Sequence, residues 1–214
     1  MQKVVERGAI WRMHFMEYDS PVMTTISKIT DVFILSSLWV ICCIPIITIG
    51  AATTALYYSS VKAIRKDKGY VIKSFFHSFR MNFIPATLLW LVFLLVGILL
   101  YGCFIFTAVL SDKSLQFFML CFYMFLFFLF LGVGCYAFPV LSKCSMDNMS
   151  ILRFSLGLVI RHFPSTILLV LFVVLAVLVM WTAPLAVLIL PGTISLLYSL
   201  PMERILIRYT PQEA

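Results

Sequence analysis

The residues at positions 42–58, "CCIPIITIGAATTALYY", hold the densest set of side chains able to do something specific. Thr48, Thr53, Thr54 and Tyr57 carry hydroxyls in a run otherwise apolar enough for a membrane. Pro45 removes a backbone donor, and Gly50 follows within about one and a half turns, so a kink is expected between them. Carbonyls freed at a kink in hydrocarbon must find partners, and threonine hydroxyls can supply them. Two readings follow. The kink and its hydroxyls could line a polar cavity for a small neutral solute. Alternatively, Gly50, Ala51 and their small neighbours form a seam where another helix approaches closely, as membrane helices pack. Tyr57 and Tyr58 would then mark the water interface.

Other chemistry is sparse. The runs at 83–110, 115–141 and 164–190 contain no Asp, Glu, Lys, Arg or His. Proton and ion pathways need such groups within the membrane, so a proton-coupled transporter is disfavoured. Asp31 and Glu203 sit at the edges of apolar runs and read as interface residues. A phosphate-binding G-x-x-x-x-G-K-[ST] loop, H-E-x-x-H and G-x-S-x-G are all missing. The three His (His14, His77, His162) are scattered, and the six Cys form no C-x-x-C pair. No catalytic residue, metal site or cofactor is expected, and the cysteines read as small apolar filler.

Composition fixes the class. Of 214 residues, 63% are hydrophobic and 12% charged, with a mean hydropathy of +1.07. Soluble domains carry roughly 45–50% apolar and about 25% charged residues. The expected fold is all-α: a polytopic membrane bundle of about five transmembrane helices with two amphipathic interfacial helices. The net charge of +7 reflects basic residues next to apolar runs, so anionic lipid rather than nucleic acid is the expected partner.

The whole chain, 1–214, reads as one integral membrane domain. An N-terminal arm (1–30) holds seven charged residues and no signal-peptide core, so the first apolar run should itself be the targeting signal. A first helical unit (31–110) starts with a span at 31–50 continuing as helix to 62. A second unit (115–190) leads to a final short helix and tail (191–214), with a kink at Pro191-Gly192. The loop at 62–80 carries Lys62, Arg65, Lys66, Lys68, Lys73 and Arg80, and the loop at 143–161 carries Lys143, Arg153 and Arg161. The positive-inside rule places both basic loops and the C-terminus in the cytoplasm of a multi-pass cell-membrane protein. A five-helix threading leaves the N-terminal arm outside.

Both loops have helical periodicity. In "YVIKSFFHSFRMNF", Ile72, Phe75, Phe76, Phe79 and Phe83 share a face opposite Lys73, His77 and Arg80. In "SILRFSLGLVIRHF", Arg153, Gly157 and Arg161 form a narrow polar strip. Lys73, Arg80, Arg153 and Arg161 are the expected headgroup-facing residues. A weak parallel repeat follows: "FRMNFIPATLL" and "IRHFPSTILL" each precede a span, and each unit is span, interfacial helix, span.

Leu38-Trp39, then "IPIITIGAATTALYY" and "GYVIKSFFHSFRMNF", resemble the YesL-like family of bacterial membrane proteins, a family of unknown function. The resemblance runs from about Thr30 to Arg208. It implies a role near carbohydrate uptake by ATP-driven importers and brings no functional residues with it. The expected function is therefore a non-catalytic accessory or regulatory protein. It would pack against subunits of an ABC-type sugar importer or a membrane sensor kinase, in an oligomeric state the sequence does not specify. The alternative is a small carrier or channel for a neutral solute.

Overall fold

The computed structural model describes residues 21–67, 69–108, 112–144 and 146–206. The expectations for the arm at 1–20 and for Arg208 fall outside these residues. Among the described residues there are eight α-helices and no strand. They are α1 (Pro21–Cys43), α2 (Ile49–Ser59), α3 (Val71–Met81), α4 (Phe83–Ala108), α5 (Lys113–Lys143), α6 (Asn148–Arg161), α7 (Phe163–Thr182) and α8 (Leu190–Leu206). A π-type segment, Ser60–Arg65, prolongs α2.

Four helices are long and apolar enough to cross a membrane: Thr25–Cys43, Phe83–Thr107, Lys113–Lys143 and Phe163–Thr182. About five were expected; these four are the single helices of sufficient length, and the shorter α2 and α8 run back across the bundle beside them. The last helix, α8, has 17 residues with Pro201 inside it, and it is not among the four. It starts after a short 3-10 turn at Pro184–Leu188, so α7 ends at Thr182 and α8 is a separate element.

The larger correction lies at Pro45. The stretch from 31 to 62 is not one kinked helix but two antiparallel ones. Pro45 adopts extended backbone (φ −75°, ψ 116°), and a single 3-10 turn at Ile46–Thr48 reverses the chain. The Thr48 hydroxyl lies 2.6 Å from the Cys42 carbonyl and 2.7 Å from that of Pro45, so it caps the end of α1. Trp39 Nε1 donates to Thr53 Oγ1 at 3.4 Å across the hairpin. At its other end Lys28 Nζ meets Asp67 at 3.3 Å. The early part of α1 therefore lies on the same side of the bundle as the basic loop after α2. The five-helix threading had put them on opposite sides.

From α2 the chain folds back again. Tyr58 and His77 rings lie 6.5 Å apart, Gly50 abuts Ala86, and Trp90 Nε1 donates to the Ile46 carbonyl at 2.8 Å. Helix α3 and the start of α4 thus run antiparallel to α2 in one continuous register. The second half repeats the arrangement. Helix α6 returns along α5, with Gly132 against Val159 and the Phe128 and Phe163 rings 5.7 Å apart. The breaks match as well. Asn82 ends α3 and His162 ends α6, each donating its backbone N–H to the carbonyl four residues back. Pro85 and Pro164 then sit in the first turns of α4 and α7, where their missing N–H groups leave no helical bond unmade.

The short helices bury one face each. In α3, Val71, Ser74, Phe75 and Ser78 are buried, while Lys73, His77 and Arg80 are exposed. The expected apolar face is split, because Ile72 and Phe76 also point outward, at 51% and 43% exposure. In α6, Ile151, Ser155, Leu158 and Val159 are buried, and Arg153, Gly157 and Arg161 are all exposed. The outer faces of α4 and α5 expose Leu95, Phe106 and Phe117 at 60–72%. Such a surface suits hydrocarbon rather than water.

Candidate functional site

The site grows from the start of α2. A Cβ built on Gly50 would lie 2.5 Å from the Ala86 carbonyl oxygen and 2.6 Å from Trp90 Cβ. Ala51 and Ala86 are fully buried beside it. Only a glycine permits this approach of α2 to α4. Apolar burial gives no driving force between helices already in hydrocarbon, so close packing of this kind is what holds them.

The hydroxyls are occupied locally. Thr54 Oγ1 donates to the Gly50 carbonyl at 2.9 Å, and Thr53 Oγ1 donates to that of Ile49 at 2.7 Å while accepting from Trp39. With Thr48 capping α1, all three threonines serve their own backbone. Among the side chains singled out in this stretch, only the Tyr57 hydroxyl is buried with no partner. Its ring is 4% exposed and stands edge-on to Tyr198, with centroids 6.2 Å apart.

Above Tyr57 opens a cavity of about 570 Å³, walled by α1, α2, α4, α5, α7 and α8. Trp39, Tyr57, Trp90, Phe93, Phe130, Phe138 and Tyr198 supply its aromatic surface. Thr53 reaches it, while Pro45, Thr48, Gly50, Ala51 and Thr54 are not part of its lining. The sequence-predicted stretch is therefore divided. Gly50 and Ala51 belong to the helix seam, Pro45 and Thr48 to the hairpin turn, and Thr53 and Tyr57 to the cavity wall.

Other polar groups around the cavity are also satisfied. Tyr198 donates its hydroxyl to the Cys135 carbonyl, and Ser195 and Ser60 hydroxyls share a bond of 2.8 Å. Beyond this floor lies a charged cluster that the sequence reading missed. Glu203, 4% exposed, pairs with Lys143 and with Arg65 at 3.4 Å. Arg65 also donates to the Ser199 carbonyl at 3.0 Å. Both cations sit in the last turn of their own segments, where the helix dipole favours positive charge. The sequence alone makes Glu203 an interface residue. Its burial between two cations, on helices distant in sequence, ties α8 to the ends of α2 and α5. The available signal was a carboxylate at the edge of an apolar run, which requires a partner once it is buried.

A second close approach was also missed. The backbone N–H of Gly192 donates to Ser36 Oγ at 3.0 Å, and a Cβ there would lie 2.7 Å from that oxygen. The predicted headgroup residues Lys73, Arg80, Arg153 and Arg161 are exposed on α3 and α6. The cysteines form no disulfide, and no group of three metal-ligating side chains occurs among the described residues.

Residues 32–102 match the family described as "Protein of unknown function, DUF624". The match covers the second half of α1 through most of α4, including the hairpin turn, the Gly50 seam and the α3 fold-back. No curated protein and no solved structure matches the chain. The fold and the match together define a multi-span helical membrane protein similar to that family.

Proposed function

We propose that the chain is a non-catalytic accessory or regulatory protein of the cell membrane, linked to carbohydrate uptake. It acts by packing against subunits of an ABC-type sugar importer or against a membrane sensor kinase. The observation that carries this reading is the local use of the Thr48, Thr53 and Thr54 hydroxyls, all bonded within the α1–α2 hairpin. A sugar in transit needs many hydrogen-bond partners, and each one missing costs on the order of 1–3 kcal/mol. The cavity offers it almost none. The link to carbohydrate uptake rests on the resemblance of the α1–α4 sequence to the YesL-like family. Both basic loops, and α8's end with them, face the cytoplasm on this reading.

The test is affinity purification of the tagged chain from its native membrane in a mild detergent. Importer or sensor subunits should be enriched over a control membrane protein. Purification with no membrane partner, from cells growing on the relevant sugar, would overturn the accessory role. The doubly substituted Thr53→Val, Thr54→Val protein separates this role from solute transport. It should support sugar-dependent growth as the wild type does, whereas a solute path through the hydroxyls would be lost.

A further inference from the structure

The structure assigns the cavity beside Tyr57 a ligand: we propose that it holds one hydrocarbon chain of a lipid, taken from the bilayer between α4 and α7. The inference is independent of which protein the bundle packs against. Three observations carry it.

The first is the lining chemistry. Thr53, Ser195 and Tyr198 are the hydroxyl side chains of the wall besides Tyr57, and each is bonded within the protein. Trp39 and Trp90 donate their indole N–H groups to Thr53 and to the Ile46 carbonyl, so they present apolar faces. A ligand here meets carbon nearly everywhere. The Tyr57 hydroxyl has no partner but is itself buried, so the ring rather than the oxygen faces the cavity. The matching molecule is an apolar chain.

The second is access. Helices α4 and α7 each pack on α5 and leave the cavity between them. Val177 lines it and is 60% exposed, well within the 20-residue span of α7. The mouth therefore opens sideways, at a level where a membrane presents lipid chains rather than water.

The third is size. A volume of about 570 Å³ falls in the range of small-molecule sites, roughly 300–1,000 Å³.

The experiment uses the full-length protein in lipid nanodiscs with two photoreactive probes. One is a phospholipid with a diazirine midway along one acyl chain, and the other is a free fatty acid with the same group. Labelled peptides are mapped by mass spectrometry. Labelling should concentrate on peptides holding Phe130, Gly134 and Gly97, with one of the two probes dominating and so naming the source of the chain. Filling the mouth with Val177→Trp should reduce labelling at Phe130 and Gly134 by about tenfold. Labelling at Phe106 and Phe117, which face outward away from the cavity, should not change. Labelling spread in proportion to exposure would overturn the proposal, as would unchanged labelling of Phe130 and Gly134 in a folded Val177→Trp protein. Should that variant fail to fold, native mass spectrometry of the wild type decides. One lipid retained per chain after detergent exchange is expected, and a lipid-free chain would overturn the site.

Discussion

Gly50 and Ala86 lie so close that no side chain fits between them: a Cβ on Gly50 would stand 2.5 Å from the Ala86 carbonyl oxygen. The obstructing atom is backbone, so it cannot move aside as a flexible side chain would. Gly50→Ala should therefore cost about 1–3 kcal/mol through overpacking, and Gly50→Leu more. Gly102 is the control, because a Cβ there meets nothing within 4 Å. Gly102→Ala should be neutral or slightly stabilising, since alanine is the better helix former. Thermal unfolding in detergent reads both. A Gly50→Leu protein that melts with the wild type would remove the seam.

What the sequence showed depended on how local the signal was. The apolar runs at 83–110, 115–141 and 164–190 each announced a spanning helix through length and composition, though the third helix stops at Thr182, short of its run. Gly50 and Ala51 could be read as a seam because small residues in a membrane helix have few other uses. The reversal at Pro45 was not legible. A proline in an apolar run specifies a break but not its angle, and the hairpin is decided by Thr48 capping α1 and by Trp39 meeting Thr53. The cavity was invisible for a related reason. It is walled by six helices, and which of their faces converge is a property of packing rather than of any one segment. The Glu203 cluster joins positions about 60 and 140 residues apart, and no periodicity reports such a pairing.

The α1–α2 hairpin has a topological consequence. Lys28 and Asp67 are 3.3 Å apart, so positions 28 and 66 must lie on one side of the membrane. Asp147 follows Lys143 on that same side, because Lys143 and Arg65 share Glu203. Lys113 begins α5 and lies at the opposite end of its 31 residues. Single cysteines at 28, 66, 113 and 147 in a cysteine-free background should fall into two classes when labelled from outside intact cells. Position 113 should react and the other three should be protected. A reactive position 28 beside a protected position 66 would restore the single kinked helix and break the hairpin.

The exposed basic residues of α3 make a separate prediction. Lys73 and Arg80 point outward beside Ile72 and Phe76, a mixture suited to a membrane surface. Each basic side chain near an anionic surface contributes about 1 kcal/mol. Reversing both with Lys73→Glu and Arg80→Glu should lower the amount of protein in the membrane fraction. Changing both to Gln should have roughly half that effect. Equal amounts of the Glu pair and the wild type would show that α3 does not face headgroups.

The last prediction concerns the cluster at the far end of α8. Glu203 is the only carboxylate paired with both Arg65 and Lys143 among the described residues, and it is 4% exposed. Glu203→Gln leaves two cations facing each other with no anion between them. Removing one partner of a fully buried pair costs about 3–5 kcal/mol. Here the side chains of Arg65 and Lys143 keep 33% and 24% of their surface, so water recovers part of the loss. A cost of about 2–3 kcal/mol is the reasoned expectation, below the fully buried range. Lys143→Met should cost less, because Arg65 still neutralises the carboxylate. Combining Lys143→Met with Glu203→Gln should be milder than the sum of the two, since the double change removes the repulsion that the single Gln creates. The measurement is a double-mutant cycle on detergent melting. Strictly additive changes would mean that the two residues do not interact, and that α8 is held to α5 by the Tyr198–Cys135 hydrogen bond and apolar packing instead.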